Sequence, residues 1–180
     1  TNGDEFIGYP KQDEGDTMNM ASFWMDKFPV TNIQFRQFLQ ESRYRPADTA
    51  NFLKHWVKGK IPAGEEQFPV VYISFEDAKS FCKWAEKRLP TEAEWQYAAQ
   101  AKDGREWPWD QKNPVNRRLE TVTETLTLVH LEGINPNVVN LGDGKPYPVG
   151  RYTEGANPFG LFDLVGCVWQ LTNDQYLSGS

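Results

Sequence analysis

Apolar residues recur at steps of three and four in three stretches of the chain, and this spacing predicts three amphipathic helices. Each stretch opens with a Ser or Thr that is followed three residues later by Gln, Asp or Glu, an arrangement that caps a helix N-terminus. The helices are expected to end near Arg43, Ala85 and Gln100. The predicted capping pairs are Thr31 with Gln34, Ser74 with Asp77, and Thr91 with Glu94.

Short runs of alternating or continuous apolar residues predict strands between and after the helices. Residues 121–132 alternate in Thr, Val, Leu and Glu, which predicts a strand or a hairpin arm. Residues 51–67 have no clear period, which predicts a loop. The polar residues 1–20 predict a loosely held segment, and residues 21–180 predict one domain after it. Few strands, adjacent helices and much loop together predict an α+β domain. The remaining predicted strands are residues 21–27, 70–73, 149–152 and 165–171.

The composition argues against two classes of partner. The 180 residues carry a net charge of −6, and the 19 basic residues form no basic run, so nucleic acid is not the expected ligand. No apolar stretch approaches the roughly 20 residues of a membrane-spanning helix. No signal peptide is visible, but the first residue is Thr1 rather than Met, so an extracytoplasmic location stays open.

Few residues have the spacing of a reactive or metal-binding site. The two cysteines, Cys82 and Cys167, make no disulfide framework. They could form one bridge, but Cys82 lies in a helical pattern, and a lone core thiol is favoured for each. His55 and His130 lack ligand spacing and are expected to be packed or surface histidines. The sequence contains no Ser/His/Asp signature, phosphate-binding loop or zinc motif.

Four motifs follow one another in a specific order. They are FPVTN at residues 28–32, PVVYIS at 69–74, KRLPTEAEWQYAA at 87–99, and PVG at 148–150 followed by FGLFDLVG at 159–166. The set closely resembles the formylglycine-generating-enzyme domain family, also called sulfatase-modifying factors, over residues 22–174. The resemblance implies that family's variant of the C-type-lectin-like fold, which has little regular secondary structure.

The resemblance also implies an oxidative chemistry for which this sequence lacks the central residues. Family members that act on sulfatases oxidise a substrate cysteine to formylglycine with molecular oxygen, which implies a protein or peptide substrate. Their copper-binding cysteine pair follows an Arg-Gly-Gly-Ser segment, and soft thiolates suit Cu(I). The sequence reaches Ser180 before any such segment, and neither Cys82 nor Cys167 matches the pair. Copper is therefore expected only if a cysteine pair exists downstream.

Two explanations of the missing pair are open. The favoured one is a fragment whose domain lacks its C-terminal part, because the residues up to Asp174 leave the family's core unfinished; a complementary C-terminal segment is then an expected partner. The other is a non-catalytic, lectin-like binding or scaffold module. A domain of an iron-dependent sulfoxide synthase is a third alternative, but the sequence contains no histidine-rich partner domain.

Three tryptophans bear on the binding-module alternative. If exposed, Trp56, Trp107 and Trp109 would offer a carbohydrate or peptide surface. The favoured expectation is that they fill the core, because each indole buries a large apolar area.

The resemblance further implies structural calcium. Asn137 and the Val138 carbonyl lie at the distance from Pro148 that matches one family site, and Asp143 could add a carboxylate. Calcium prefers six to eight oxygen ligands, which a loop of this composition can supply. Ordinary turn chemistry of Asn and Asp is the alternative. A second family site matches Gly-Asn-x-Trp-Glu, but residues 166–170 read GCVWQ, so Cys167 and Gln170 are expected to weaken or remove it.

Overall fold

The computed structural model describes residues 20–103, 105, 107–109, 116–123, 126–132, 135–139 and 145–174, and for 116–123 and 126–132 it describes the backbone. Three α-helices lie in this part of the chain: α1 (Asn32–Ser42), α2 (Phe75–Trp84) and α3 (Glu92–Gln100). Short 3-10 turns follow at Ala101–Asp103 and Thr153–Gly155. None of the helices in the described part has the length and apolarity needed to cross a membrane.

All three predicted capping boxes are confirmed. In each helix the side chain of the N-cap residue accepts a hydrogen bond from the backbone N–H three residues on, and that residue's side chain accepts one from the N-cap N–H. These bonds satisfy N–H groups that have no partner within the helix. The predicted end of α1 is also confirmed, because Arg43 adopts a left-handed φ of 56°.

The alternating segment forms a β-hairpin that is longer than predicted. Strand β1 (Asn116–Thr123) pairs antiparallel with β2 (Leu126–Glu132), with Asn116 opposite Glu132 and Leu119 opposite Val129. The register shifts between Thr121 and Thr123. The sequence indicated the second strand, but β1 begins five residues before the predicted range.

The four other predicted strands are wrong, because the chain there is extended or turned without a ladder. In the predicted strand 70–73, the Val70 N–H donates to the Val30 carbonyl at 2.8 Å. Tyr72 then takes a left-handed φ of 57°, which a ladder does not accommodate. In the predicted strand 21–27, the Lys27 carbonyl accepts a hydrogen bond from the Phe162 N–H at 3.0 Å. The segments are residues 21–27, 70–73, 149–152 and 165–171.

Residues 149–152 and 165–171 do not form β strands for the same physical reason. The Val149 N–H donates to the Gln67 carbonyl at 3.0 Å, but Gly150 has a φ of 70° and turns the chain at once. Cys167 likewise has a φ of 59°. Left-handed residues therefore prevent β pairing in these two segments, although Val149, Tyr152, Val165 and Val168 are half-buried.

The first hydrophobic cluster joins α1, α2 and the loop after α1. Its centre is aromatic: the rings of Phe35 and Phe81 stack with centroids 5.6 Å apart, and Phe38 meets Phe81 edge-on at 5.7 Å. Aromatic pairs in these geometries add stability beyond their buried area. The buried members of the first cluster are Phe35, Phe38, Leu53, Trp56, Val70 and Phe81.

The second cluster lies under α3, and the buried residues of a third come from before and after the hairpin in the sequence. The second cluster contains Trp95, Ala98, Ala99, Leu161 and Leu164, and the third contains Trp109, Val138 and Val139. Trp56 and Trp109 are buried, and Trp107 is half-buried and stacks on Trp109 with centroids 5.2 Å apart. The expectation that these three tryptophans pack inside the domain is confirmed.

Candidate functional site

The start of α3 is fixed by a short ion pair. The Arg88 guanidinium donates to both carboxylate oxygens of Glu94, at 2.7 and 2.6 Å. Glu94 also accepts the Thr91 N–H at 2.8 Å as part of the capping box. The hydrogen bonds from Arg88 lower the pKa of the Glu94 carboxyl to about 2, so the pair is charged at neutral pH.

The last described segment of the chain docks on this helix start. The Asn173 N–H donates to the Pro90 carbonyl at 2.7 Å, and the Asp174 carboxylate accepts the Glu92 N–H. An acidic side chain at a helix N-terminus is stabilised by the helix dipole as well as by the hydrogen bond. The segment up to Asp174 is therefore held at the N-terminus of α3.

Gln170 bridges α3 and the turn at residue 163. Its Oε1 accepts the indole N–H of Trp95 at 2.9 Å, and its Nε2 donates to the Asp163 carbonyl at 2.7 Å. A glutamate carboxylate could accept the first bond but could not donate the second. The amide therefore has a structural role that a carboxylate at this position would not fill.

Asp163 is a buried carboxyl in a left-handed turn. It is 7% exposed and has a φ of 56°. Its Oδ2 accepts the Gly150 N–H at 2.6 Å, which links the PVG and FGLFDLVG segments of the fourth motif. Burial raises the pKa of the Asp163 carboxyl above its usual value, although the Gly150 hydrogen bond opposes this shift.

Both cysteines are free thiols that stay protonated at neutral pH. The Cys167 Sγ–H points to the Tyr147 carbonyl at 3.7 Å, and burial raises the Cys167 pKa to about 11. Cys82 packs half-buried against the first cluster, and burial raises its pKa as well. Burial also raises the pKa of Tyr147. The lone packed thiols predicted from the sequence are confirmed.

The region expected to bind calcium forms a turn around Asn135. The Asn135 side chain accepts the Asn137 N–H at 2.9 Å, and its carbonyl accepts the Val138 N–H at 3.0 Å. These bonds use neither the exposed Asn137 carboxamide nor the Val138 carbonyl, which packs against Gly155. Asp143 lies outside the described residues. The described residues contain no group of three or more His, Cys, Asp or Glu placed to hold a metal ion.

His55 packs beside a buried asparagine that organises the loop after α1. Asn32 is fully buried, donates to the Glu65 carbonyl at 2.9 Å and accepts the Trp56 indole N–H at 3.1 Å. The His55 Nε2 lies 3.3 Å from the same Asn32 oxygen, and burial lowers the His55 pKa. The packed histidine predicted here is confirmed, and His130 lies on β2, where side chains are not described.

A large cavity that sequence patterns did not predict lies between the first and second clusters. Its volume is about 1330 Å³. Its wall includes Val70 and Phe81 of the first cluster, Trp95 and Leu164 of the second, and both cysteines. Two tryptophans in its lining are open to solvent: Trp24 is 100% exposed and Trp169 is 72% exposed. The feature of the sequence that could have indicated this cavity is the presence of apolar residues, such as Trp24, in segments without regular structure.

The match to a family model assigns the chain to one class of domain. The chain belongs to the sulfatase-modifying factor enzyme 1-like domain family, whose model matches residues 3–180. This match confirms the resemblance found from the four motifs.

The similar proteins include active and inactive members. The chain is 30% identical over 208 residues to the inactive C-alpha-formylglycine-generating enzyme 2 of Bos taurus, covering 88% of this chain and 62% of that protein. It is 27% identical over 213 residues to the formylglycine-generating enzyme of Mycobacterium tuberculosis, covering 93% of this chain and 69% of that protein. It is 26% identical over 187 residues to the hercynine oxygenase of Mycolicibacterium smegmatis, covering 87% of this chain and 38% of that protein. The chain thus spans about six-tenths of the length of the bovine protein.

Proposed function

We propose that this chain forms the architectural part of a formylglycine-generating-enzyme-like protein and that its own cysteines do not carry the oxidative chemistry. The observation that carries this proposal is the environment of Cys167, a protonated thiol directed at a backbone carbonyl and with a pKa of about 11. Cysteine oxidation on a protein or peptide substrate would then need a thiol pair outside residues 1–180.

The chemistry of copper binding supports this division of roles. Cu(I) is bound by thiolates, and a thiol must lose its proton before it can bind the metal. Cys82 and Cys167 both have raised pKa values; Cys82 packs against the first cluster, and the Cys167 thiol points to the Tyr147 carbonyl. Copper binding at either residue would oppose the burial that keeps both thiols neutral.

A copper(I) titration tests the proposal. The chain competes for Cu(I) with a chromogenic chelator under anaerobic conditions, beside a Cys82→Ser/Cys167→Ser double variant as the matched control. We expect the two proteins to remove copper from the chelator equally weakly. Stoichiometric Cu(I) uptake that disappears in the double variant would overturn the proposal.

The C-type-lectin-like architecture belongs to the same proposal. Three short helices, one hairpin and long irregular segments in the described part support a fold of low regular structure. A solved structure of the domain tests it, because a different chain topology would contradict the lectin-like assignment.

A non-catalytic role is the second candidate function. Two of the similar proteins, from Bos taurus and Mus musculus, are named inactive. Gln170 supports this alternative because its amide forms a structural bridge where the family motif has an acidic residue. Under this alternative, the whole gene product binds a cysteine peptide but does not convert it, even when copper and oxygen are supplied.

Calcium at Asn137, the Val138 carbonyl and Asp143 is a further part of the proposal. The support is that the turn at Asn135 leaves the Asn137 carboxamide exposed and outside its hydrogen bonds. Calcium at 100 times its Kd would stabilise the fold by about 2.7 kcal/mol. We expect calcium to raise the Tm of the chain but not that of Asn137→Ala or Asp143→Asn. An equal shift in all three proteins, or none, would contradict the site.

A further inference from the structure

We propose that the outer edge of β1 pairs with the same edge of a second copy of this chain. The two hairpins then form one four-stranded antiparallel sheet across a twofold axis. Two copies close this interface, because each copy presents the edge once. Such a dimer goes beyond the proposed function and does not depend on the cysteines.

The hairpin is a two-stranded sheet, and among the described residues no further strand lies beside it. At eight residues, β1 is longer than a typical strand of about five or six. An isolated hairpin is at best marginally stable in water, and a long open edge is a template for pairing with another chain. A further strand beside β1 would therefore stabilise the hairpin.

The backbone restricts the registers in which two copies of β1 can pair. In an antiparallel sheet, alternate residues of a strand direct their N–H and C=O groups to opposite sides of that strand. Residues that direct these groups outward must face each other across the new pair. The twofold axis therefore passes beside one residue and not between two. The pairing of β1 with β2 is regular from Asn116 to Thr121, so we place the axis in this stretch.

Charge selects one of these registers. An axis beside Leu119 places Arg118 of each copy opposite Glu120 of the other copy. Opposite charges directly across a strand pair are favourable, whereas like charges there are unfavourable. An axis beside Arg117 or Arg118 would place arginine opposite arginine, and one beside Glu120 would place glutamate opposite glutamate. Of the axes within residues 117–120, the one beside Leu119 alone avoids a like-charged pair.

The outer edge of β2 lacks this complementarity. That strand contains one acidic residue, Glu132, and neither lysine nor arginine. No twofold register on β2 can therefore place a carboxylate opposite a lysine or an arginine. The register beside Leu119 also extends an apolar row, because Leu119 already pairs with Val129 inside each hairpin. Four apolar residues then follow one another across the sheet, which favours β1 as the dimer edge.

Charge exchange tests the dimer in the protein expressed from its complete gene. Arg118→Glu places glutamate opposite glutamate in the proposed register, and Glu120→Arg places arginine opposite arginine. The double variant Arg118→Glu/Glu120→Arg restores opposite charges in reversed positions. Lys79→Glu is the matched control, because it makes the same change of charge at a half-exposed lysine of α2. Sedimentation velocity measures the dimer dissociation constant, and circular dichroism checks that each variant is folded.

We expect the parent, the double variant and the control to dimerise. Each single variant should raise the dissociation constant by roughly tenfold or more, because two like-charged pairs replace two opposite ones. An equimolar mixture of the two single variants should dimerise again, since the glutamates of one copy then face the arginines of the other. A parent protein that is monomeric at every concentration would overturn the proposal. Single variants that dimerise as well as the parent would also overturn it, as would a loss that neither the double variant nor the mixture restores.

Discussion

The indole N–H of Trp95 donates to the Oε1 of Gln170 at 2.9 Å, across 75 residues of sequence. This bond and the one from Gln170 to the Asp163 carbonyl connect α3 to the turn at Asp163. The connection uses both the donor and the acceptor of an amide, so it distinguishes Gln from Glu at this position.

Replacing Gln170 by Glu is expected to destabilise the fold by about 1–3 kcal/mol at pH 7, since the Asp163 carbonyl loses its donor and faces a carboxylate. The loss should be relieved as pH falls below about 4, where the carboxyl becomes protonated and can donate. Chemical denaturation in calcium-free buffer measures both effects. A Gln170→Met control should lose stability at every pH. A Glu variant as stable as the parent at pH 7 would refute the structural role of the amide.

Removing the Glu94 charge is expected to reduce stability in a pH-dependent way. The folded pKa of about 2 lies below the unfolded value of 4.5, so the stabilisation from Glu94 is fully present above about pH 4.5. It is lost as pH falls toward 2. The Tm difference between the parent and Glu94→Gln should therefore be largest near neutral pH and shrink in acid. A difference that stays constant from pH 7 to pH 3 would contradict the assigned ion pair with Arg88.

Asp163→Asn is expected to maintain or increase stability at pH 7. Asn can still accept the Gly150 N–H and tolerates the left-handed φ, while the cost of burying a carboxylate is removed. Since the folded pKa of Asp163 is raised, that cost appears as pH rises through the unfolded value of about 3.9. The advantage of Asn should thus grow above about pH 4 in urea titrations.

The matched variant Asp163→Ala separates the hydrogen bond from the charge. It removes the acceptor of the Gly150 N–H, which should cost about 1–3 kcal/mol. If the Asp163→Ala and Asp163→Asn variants are equally stable at pH 7, the hydrogen bond to Gly150 contributes no measurable stability.

The features predicted from the sequence were mainly local. The three helices follow from capping pairs such as Thr91 with Glu94, whose side-chain and backbone groups lie within four residues of each other. The strand predictions failed where a single left-handed residue, such as Tyr72 or Cys167, interrupts an apolar run. Residue alternation reports burial on one face and carries no information about such a φ value.

Long-range contacts in the candidate site were beyond sequence patterns for a different reason. The bond between Trp95 and Gln170 joins groups 75 residues apart in the sequence, and the bond between Gly150 and Asp163 joins groups 13 residues apart. The motifs indicated that these residues belong to one family, but not which atoms meet. The cavity depends on how two clusters are spaced, which no single segment encodes.

The thiols are expected to react slowly with alkylating reagents in the folded protein. Raising the Cys167 pKa from 9.0 to about 11 lowers its thiolate fraction at pH 8 about a hundredfold. Iodoacetamide labelling of a Cys82→Ser variant should therefore be at least tenfold slower when folded than in guanidinium chloride. Equal rates in the two states would show that Cys167 is an accessible, unperturbed thiol.

The most direct test of the central claim is to incubate the isolated 180-residue chain with a cysteine peptide, copper and air, and to assay the peptide for an aldehyde by hydrazide capture and mass spectrometry. The account predicts that no aldehyde forms, because Cys82 and Cys167 are protonated packing thiols. Aldehyde formation by the parent chain, abolished in Cys82→Ser/Cys167→Ser, would contradict it.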